Sequence, residues 1–319
     1  MNTNDQTIES MIEEVFSDEN SFEDLNNIPF STAMENEESF NKSMFMCETL
    51  VTMDDNNKIS EEGFVDTIKA TLVNLLSLNP YWLVSKTIAR LLLDFRGTVK
   101  DNHFLTVYLR KADQELVRKI CGEIFGENPK KFYLLNVPTA TYIDNLNKKS
   151  KELGKLIGKF NKVLKDEGVD SFKAGLEKAN TELERAKDGY DKTVESKKDN
   201  PEEILNAIVE VNRFPDMYMY IIKSVVGYSN KSIFSKNLAK SIKIDDKTTI
   251  SKDAKDVTKL LVKVVRNYHS FYKQLYKNVV RTSELAIEVL ERVNTQYSRR
   301  SSLFSELGIG HGKDKDDKR

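Results

Sequence analysis

Residues 251–300 contain neither proline nor glycine, and their apolar positions recur at three- and four-residue spacing. Val257, Leu260, Leu261, Val264, Val265, Tyr268, Phe271, Tyr272, Leu275, Val279, Ala286, Val289, Leu290, Val293 and Tyr297 keep to that spacing throughout. It is the signature of an amphipathic helix. At about 1.5 Å per residue such a stretch reaches roughly 70 Å. It predicts one long helix, or two collinear ones, against which the rest of the chain must pack. The preceding lysine-rich stretch carries two apolar stripes of the same period. The first is Ile143, Leu153, Leu156, Ile157, Phe160, Val163 and Leu164; the second is Phe172, Leu176, Ala179, Leu183, Ala186, Tyr190 and Val194, with Gly168 between them. Two helical stripes joined by a glycine turn predict an antiparallel helical hairpin. Asn200-Pro201-Glu202-Glu203 reads as a fresh helix start, with a capping Asn and Pro at the first helical position. Met217–Val226 predicts another apolar helix, ending at Gly227.

Upstream the pattern is less regular. Ser60-Glu61-Glu62 places a cap and two carboxylates where a helix N-terminus favours them. Phe64, Val65, Ile68, Leu72, Leu75 and Leu76 follow at helical spacing, and Asn79-Pro80 breaks that helix before a second apolar one around Leu83–Leu92. Glu115–Phe125 reads as helix, stopped by Gly126-Glu127-Asn128-Pro129, and Phe132–Val137 as a short strand. The expected class is therefore mainly α: an elongated helical bundle with a helical hairpin and a long C-terminal helix, leaving room for a minor β element within 100–140 or 228–250. Four regions follow. Residues 1–62 form an acidic, largely disordered leader, 63–140 an apolar helical subdomain, 141–300 a lysine-rich bundle, and 301–319 a disordered charged tail.

Charge divides the chain more sharply than hydropathy does. The net charge of the 319 residues is −1. Yet residues 1–62 hold 16 acidic and two basic residues, a balance of −14. The remainder holds 47 basic and 34 acidic residues, a balance of +13. An acidic prefix on a cationic body is the pattern of a chain that meets a polyanion.

Enzymatic chemistry finds few footholds. Two cysteines, Cys47 and Cys121, make no disulfide scaffold and no CxxC zinc pair. His103, His269 and His311 are far apart, and His269, beside Tyr268, is expected to be a partly exposed helix residue. Gly308-Ile309-Gly310-His311-Gly312 precedes a charged tail rather than a helix, the wrong context for a phosphate cradle. Asp54–Ser60 lacks the ligand spacing of a calcium loop. The expectation is no catalytic residue, no metal and no cofactor. The longest uncharged stretch, Ala70–Ser85, is interrupted by Asn79-Pro80 and falls short of the roughly 18–20 apolar residues of a bilayer span.

The basic body offers binding candidates instead. Lys155, Lys159 and Lys162 fall at four- and three-residue spacing, as do Lys259, Lys263 and Arg266, so each trio is expected on one helical face. Such stripes meet phosphates through charge, without reading bases. Nucleic acid and an anionic membrane surface are the two polyanions considered. The second makes the chain an intracellular helical adaptor or membrane-surface protein.

The triplet Ser/Ala-x-Glu occurs four times in the acidic leader: Ser17-Asp18-Glu19, Ser21-Phe22-Glu23, Ala33-Met34-Glu35 and Ser60-Glu61-Glu62. The last falls where the charge reverses, just before Gly63. This arrangement resembles the internal head (inner-capsid) proteins of large tailed bacteriophages. The resemblance implies an N-terminal propeptide removed by a prohead protease after a small-x-Glu site, here Glu62 or Glu35. It also implies a basic helical protein without enzymatic activity, packaged with DNA inside the capsid beside other capsid or core proteins. Its place would be the virion interior, and the host cytoplasm during assembly and after ejection. Ser150-Lys151-Glu152 and Ala286-Ile287-Glu288 repeat the triplet within the body, so this reading requires folding to protect them.

Overall fold

A computed structural model describes residues 41–42, 45, 70–77, 114–126, 129–211, 236–242 and 251–299. Among them the protein is mainly α-helical, with no strand. We number the helices α1 (70–77), α2 (Gln114–Phe125), α3 (Thr139–Ile157), α4 (Phe160–Val163), α5 (Val169–Lys198), α6 (Pro201–Val211), α7 (Lys236–Ser241) and α8 (Lys252–Arg299). A 3-10 helix, Pro129–Asn136, leads into α3. The Ser60 helix start, the Leu83–Leu92 and Met217–Val226 helices, and the leader and tail lie outside the described residues.

The long helix is a single element. α8 runs for 48 residues, about 72 Å at 1.5 Å per residue. Ser251 caps it, the Ala254 N–H donating to Ser251 Oγ at 3.2 Å. The expected hairpin is present as α3 and α5. Its connection begins earlier than the sequence suggests: α3 closes at Ile157, α4 adds one further turn, and Asp166 (φ 62°) and Gly168 (φ 71°) reverse the chain in left-handed conformations. Ser251 Oγ donates to Asp166 Oδ1, tying the hairpin turn to the start of α8.

Polar rungs fix the register. Asn267 Nδ2 donates to Asn180 Oδ1 at 3.0 Å, and Gln274 Nε2 to Asp191 Oδ1 at 2.8 Å. Asn278 Nδ2 donates to the Tyr190 hydroxyl at 2.7 Å. From Asn180 with Asn267 to Tyr190 with Asn278 the numbers rise together, so α8 runs parallel to α5. The Tyr272 hydroxyl lies 2.7 Å from Asn147 Oδ1 and 3.1 Å from Ser150 Oγ. With Lys131 bonded to Glu288 at 2.7 Å, these pairs run in opposite senses, so α8 is antiparallel to α3. Between the three helices lie Leu146, Leu153, Ile157, Phe172, Leu176, Leu183, Tyr190, Leu261, Val265, Phe271 and Leu275, all buried. The Tyr190 ring meets Tyr142 edge-on at 4.9 Å and Phe271 at 6.0 Å. Helices α3 and α5 approach closely at Gly175, where a Cβ would come within 3.1 Å of both methyl carbons of Leu156.

One end of this sheaf is covered by α2, the 3-10 helix and α6, whose buried residues join the same hydrophobic cluster. Phe132–Val137, expected as a strand, belongs mostly to that 3-10 helix. Buried Pro129, Phe132 and Leu135 recur every third residue, matching three residues per turn and placing them on one face. Asn200 caps α6 as expected, accepting from the Glu203 N–H at 3.2 Å. Gly126 (φ 68°) stops α2, its N–H bonded to Gly122 O at 2.9 Å.

His269 departs from expectation. It is fully buried on α8, and its Nε2 lies 2.8 Å from the Leu75 carbonyl. A carbonyl only accepts, so Nε2 carries the proton. This bond ties α8 to α1 across 194 positions of sequence. Burial pushes the His269 pKa down to about 4, against a smaller upward pull from the Leu75 carbonyl. The ring is neutral at pH 7.

Candidate functional site

Which side of α8 faces inward decides what its other side offers. Val257, Leu261, Val264, Val265, Tyr268, Phe271, Tyr272, Leu275, Tyr276 and Val279 are buried. Burial of the Tyr268 and Tyr272 hydroxyls raises their pKa, so both stay protonated. The residues left facing outward are 259, 263, 266, 270, 273, 277 and 281. At 100° per residue they fall within an arc of about 80°. Their identities are Lys259, Lys263, Arg266, Ser270, Lys273, Lys277 and Arg281. Lys263, Ser270, Lys277 and Arg281 are exposed; Lys259, Arg266 and Lys273 are half-buried.

The helix carries no carboxylate along most of this stripe. From Val257 to Ser283 the sequence has no Asp or Glu. Lys259/Lys263, Lys273/Lys277 and Lys277/Arg281 are like charges four residues apart, and Lys263/Arg266 three apart. Each such pair costs a helix roughly 0.2–0.5 kcal/mol, so the stripe opposes helix formation by on the order of 1–2 kcal/mol. Lys263, Lys277 and Arg281 make no ion pair with other described residues. Beyond Arg281 the same stripe turns acidic with Glu284, Glu288 and Glu291. Glu288 bonds Lys131 and Arg292, each at 2.7 Å. Partial burial pushes the Glu288 carboxyl up, but these two cations outweigh it and hold its pKa below the usual carboxylate value.

Of the residues expected to bind a polyanion, Lys259, Lys263 and Arg266 lie together on this stripe. Lys155, Lys159 and Lys162 are all exposed, but the break after Ile157 puts them on the end of α3, the turn and α4. They therefore surround the hairpin turn rather than line one helical face. The Ser251–Asp166 bond sets that turn at the N-terminal end of α8, the end nearer Lys259. Sequence periodicity did not join Lys273, Lys277 and Arg281 to the first trio; the signal was their shared phase opposite the aromatic face.

A second basic region lies between α3 and α5, a groove of about 590 Å³ lined in part by Lys148, Lys149, Lys178 and Arg185. Its cations are largely committed. Lys149 bonds Glu182 at 2.9 Å, and Lys148 pairs with Asp144 at 2.7 Å. The Lys149 hydrogen bond holds the Glu182 carboxyl below its usual pKa.

The processing candidates Ser60, Glu61, Glu62, Gly63, Ala33 and Glu35 lie outside the described residues. The two triplets within the body do not. Ser150-Lys151-Glu152 lies in α3 and Ala286-Ile287-Glu288 in α8, with Ser150 and Ala286 fully buried. No helix among the described residues is long and apolar enough to cross a membrane. No protein-family model, curated protein or solved structure matches this chain.

Proposed function

We propose that this chain is a non-enzymatic virion protein of a large tailed bacteriophage, packaged inside the capsid with DNA after a protease removes its acidic leader. The observation that carries the reading is the reversal of charge at Glu62, from −14 before it to +13 after it. Cleavage there would change the net charge from −1 to +13 in one step. While attached, the leader offsets the body's charge and weakens its attraction to DNA.

Two features of the fold support this reading. The described core begins at Thr71 in α1, downstream of Glu62, so a cut at Glu62 leaves that core whole. The body's own Ser/Ala-x-Glu triplets are held in helices, with their small residues buried; a protease needs an extended, accessible segment. The test is a titration of duplex DNA against the full chain and against residues 63–319 at several salt concentrations. The shorter chain should bind more tightly, with affinity falling steeply as salt rises. Equal affinities with flat salt dependence would rule the reading out.

A further inference from the structure

We propose that the outward stripe of α8, from Lys259 to Arg281, is a seat for the phosphate backbones of duplex DNA lying along the helix. This deepens the DNA-packaging reading and rests on it.

The stripe spans 22 residue steps, about 33 Å at 1.5 Å per residue. One turn of duplex is about 34 Å long. The cations form two triads, Lys259/Lys263/Arg266 and Lys273/Lys277/Arg281, separated by the neutral Ser270. Their centres are about 21 Å apart along the helix. A rod laid along a duplex meets each of its two backbones once per turn, so each triad has one strand to contact. DNA phosphates seated there would also relieve the repulsion between neighbouring cations of the stripe.

What the stripe lacks selects among polyanions. It carries no aromatic side chain, whereas single-stranded nucleic acid is gripped by base stacking. It carries no apolar side chain to enter a lipid headgroup layer, as a membrane-surface helix does. Its three exposed cations, Lys263, Lys277 and Arg281, make no ion pair with another described residue, unlike Lys149 with Glu182.

The experiment uses residues 63–319, the product of a cut at Glu62, and a 30-base-pair duplex of arbitrary sequence, with anisotropy read between 20 and 200 mM KCl. The triple variant Lys263→Gln, Lys277→Gln, Arg281→Gln should lower the slope of log affinity against log salt by roughly 2.7, about 0.9 for each lost contact. A second variant on α5, Lys173→Gln, Lys187→Gln, Lys192→Gln, should leave that slope unchanged; thermal melts check that both remain folded. Equal losses in the two variants, or no loss in the first, would overturn the α8 seat while leaving DNA packaging standing. Failure of residues 63–319 to bind duplex at 20 mM KCl, or binding to phosphatidylserine vesicles alone, would overturn the seat and the packaging reading together.

Discussion

Helices α5 and α8 lie side by side and parallel, yet they handle charge in opposite ways. α5 holds seven basic and seven acidic residues. Its outer surface is laced by Lys192–Asp188 at 2.7 Å, Lys198–Glu195 at 2.6 Å and Lys178–Glu182 at 4.0 Å. Pairs of that kind stabilise a helix slightly and leave a surface with little net field. The central part of α8 has six cations and no acid, so its stripe is stable only because the opposite face is so well buried. The lesson is that basic composition alone does not mark a binding surface; what matters is whether the charges are answered locally.

The inner face of α8 should therefore dominate stability, and its outer face should not. Phe271 is almost fully buried against Tyr190. Phe271→Ala is expected to lower unfolding free energy by about 3–5 kcal/mol, read as a shift in the denaturant midpoint.

Acid should weaken the same face through His269. Its folded pKa of about 4 lies below the ordinary imidazole value of 6.5, so the unfolded chain takes up the proton first. The stabilisation is complete above about pH 6.5 and is lost as pH falls toward 4, approaching about 3 kcal/mol. Urea unfolding at a series of pH values should show that decline, and His269→Gln, which keeps a donor for the Leu75 carbonyl, should flatten it. An undiminished slope in the variant would assign the loss to other groups.

A smaller effect is expected where α8 meets α3. Tyr272→Phe removes the donor to Asn147 Oδ1, while Asn147 Nδ2 already has no hydrogen-bond partner among the described residues. The cost should be about 1–3 kcal/mol. The smallest effect belongs to the outer stripe: Lys263→Gln, Lys277→Gln and Arg281→Gln together remove its four like-charge pairs and should change stability by about 1 kcal/mol, in the stabilising direction. A large destabilisation would mean that the stripe serves the fold.

Local periodicity made much of this architecture legible. The long helix, the hairpin with its glycine turn and the Asn200-Pro201 start each depend on residues close in sequence. Features that depend on distant partners were hidden. His269 looked half-exposed because the segment that buries it, around Leu75, lies 194 residues away. The end of α3 was hidden because Lys155–Lys165 keeps helical spacing across Gly158, and only the Asp166 reversal shows that the chain turns. The stripe became one surface only once its neighbours' burial fixed the orientation of α8. The leader's triplets were legible as sequence, and the helices around Ser150 and Ala286 separate the body's copies from them.

Mass spectrometry of the chain recovered from assembled particles tests the account most directly. A product beginning at Gly63, retaining α1 through α8, is the predicted result. A chain that still begins at Met1 in mature particles would contradict it.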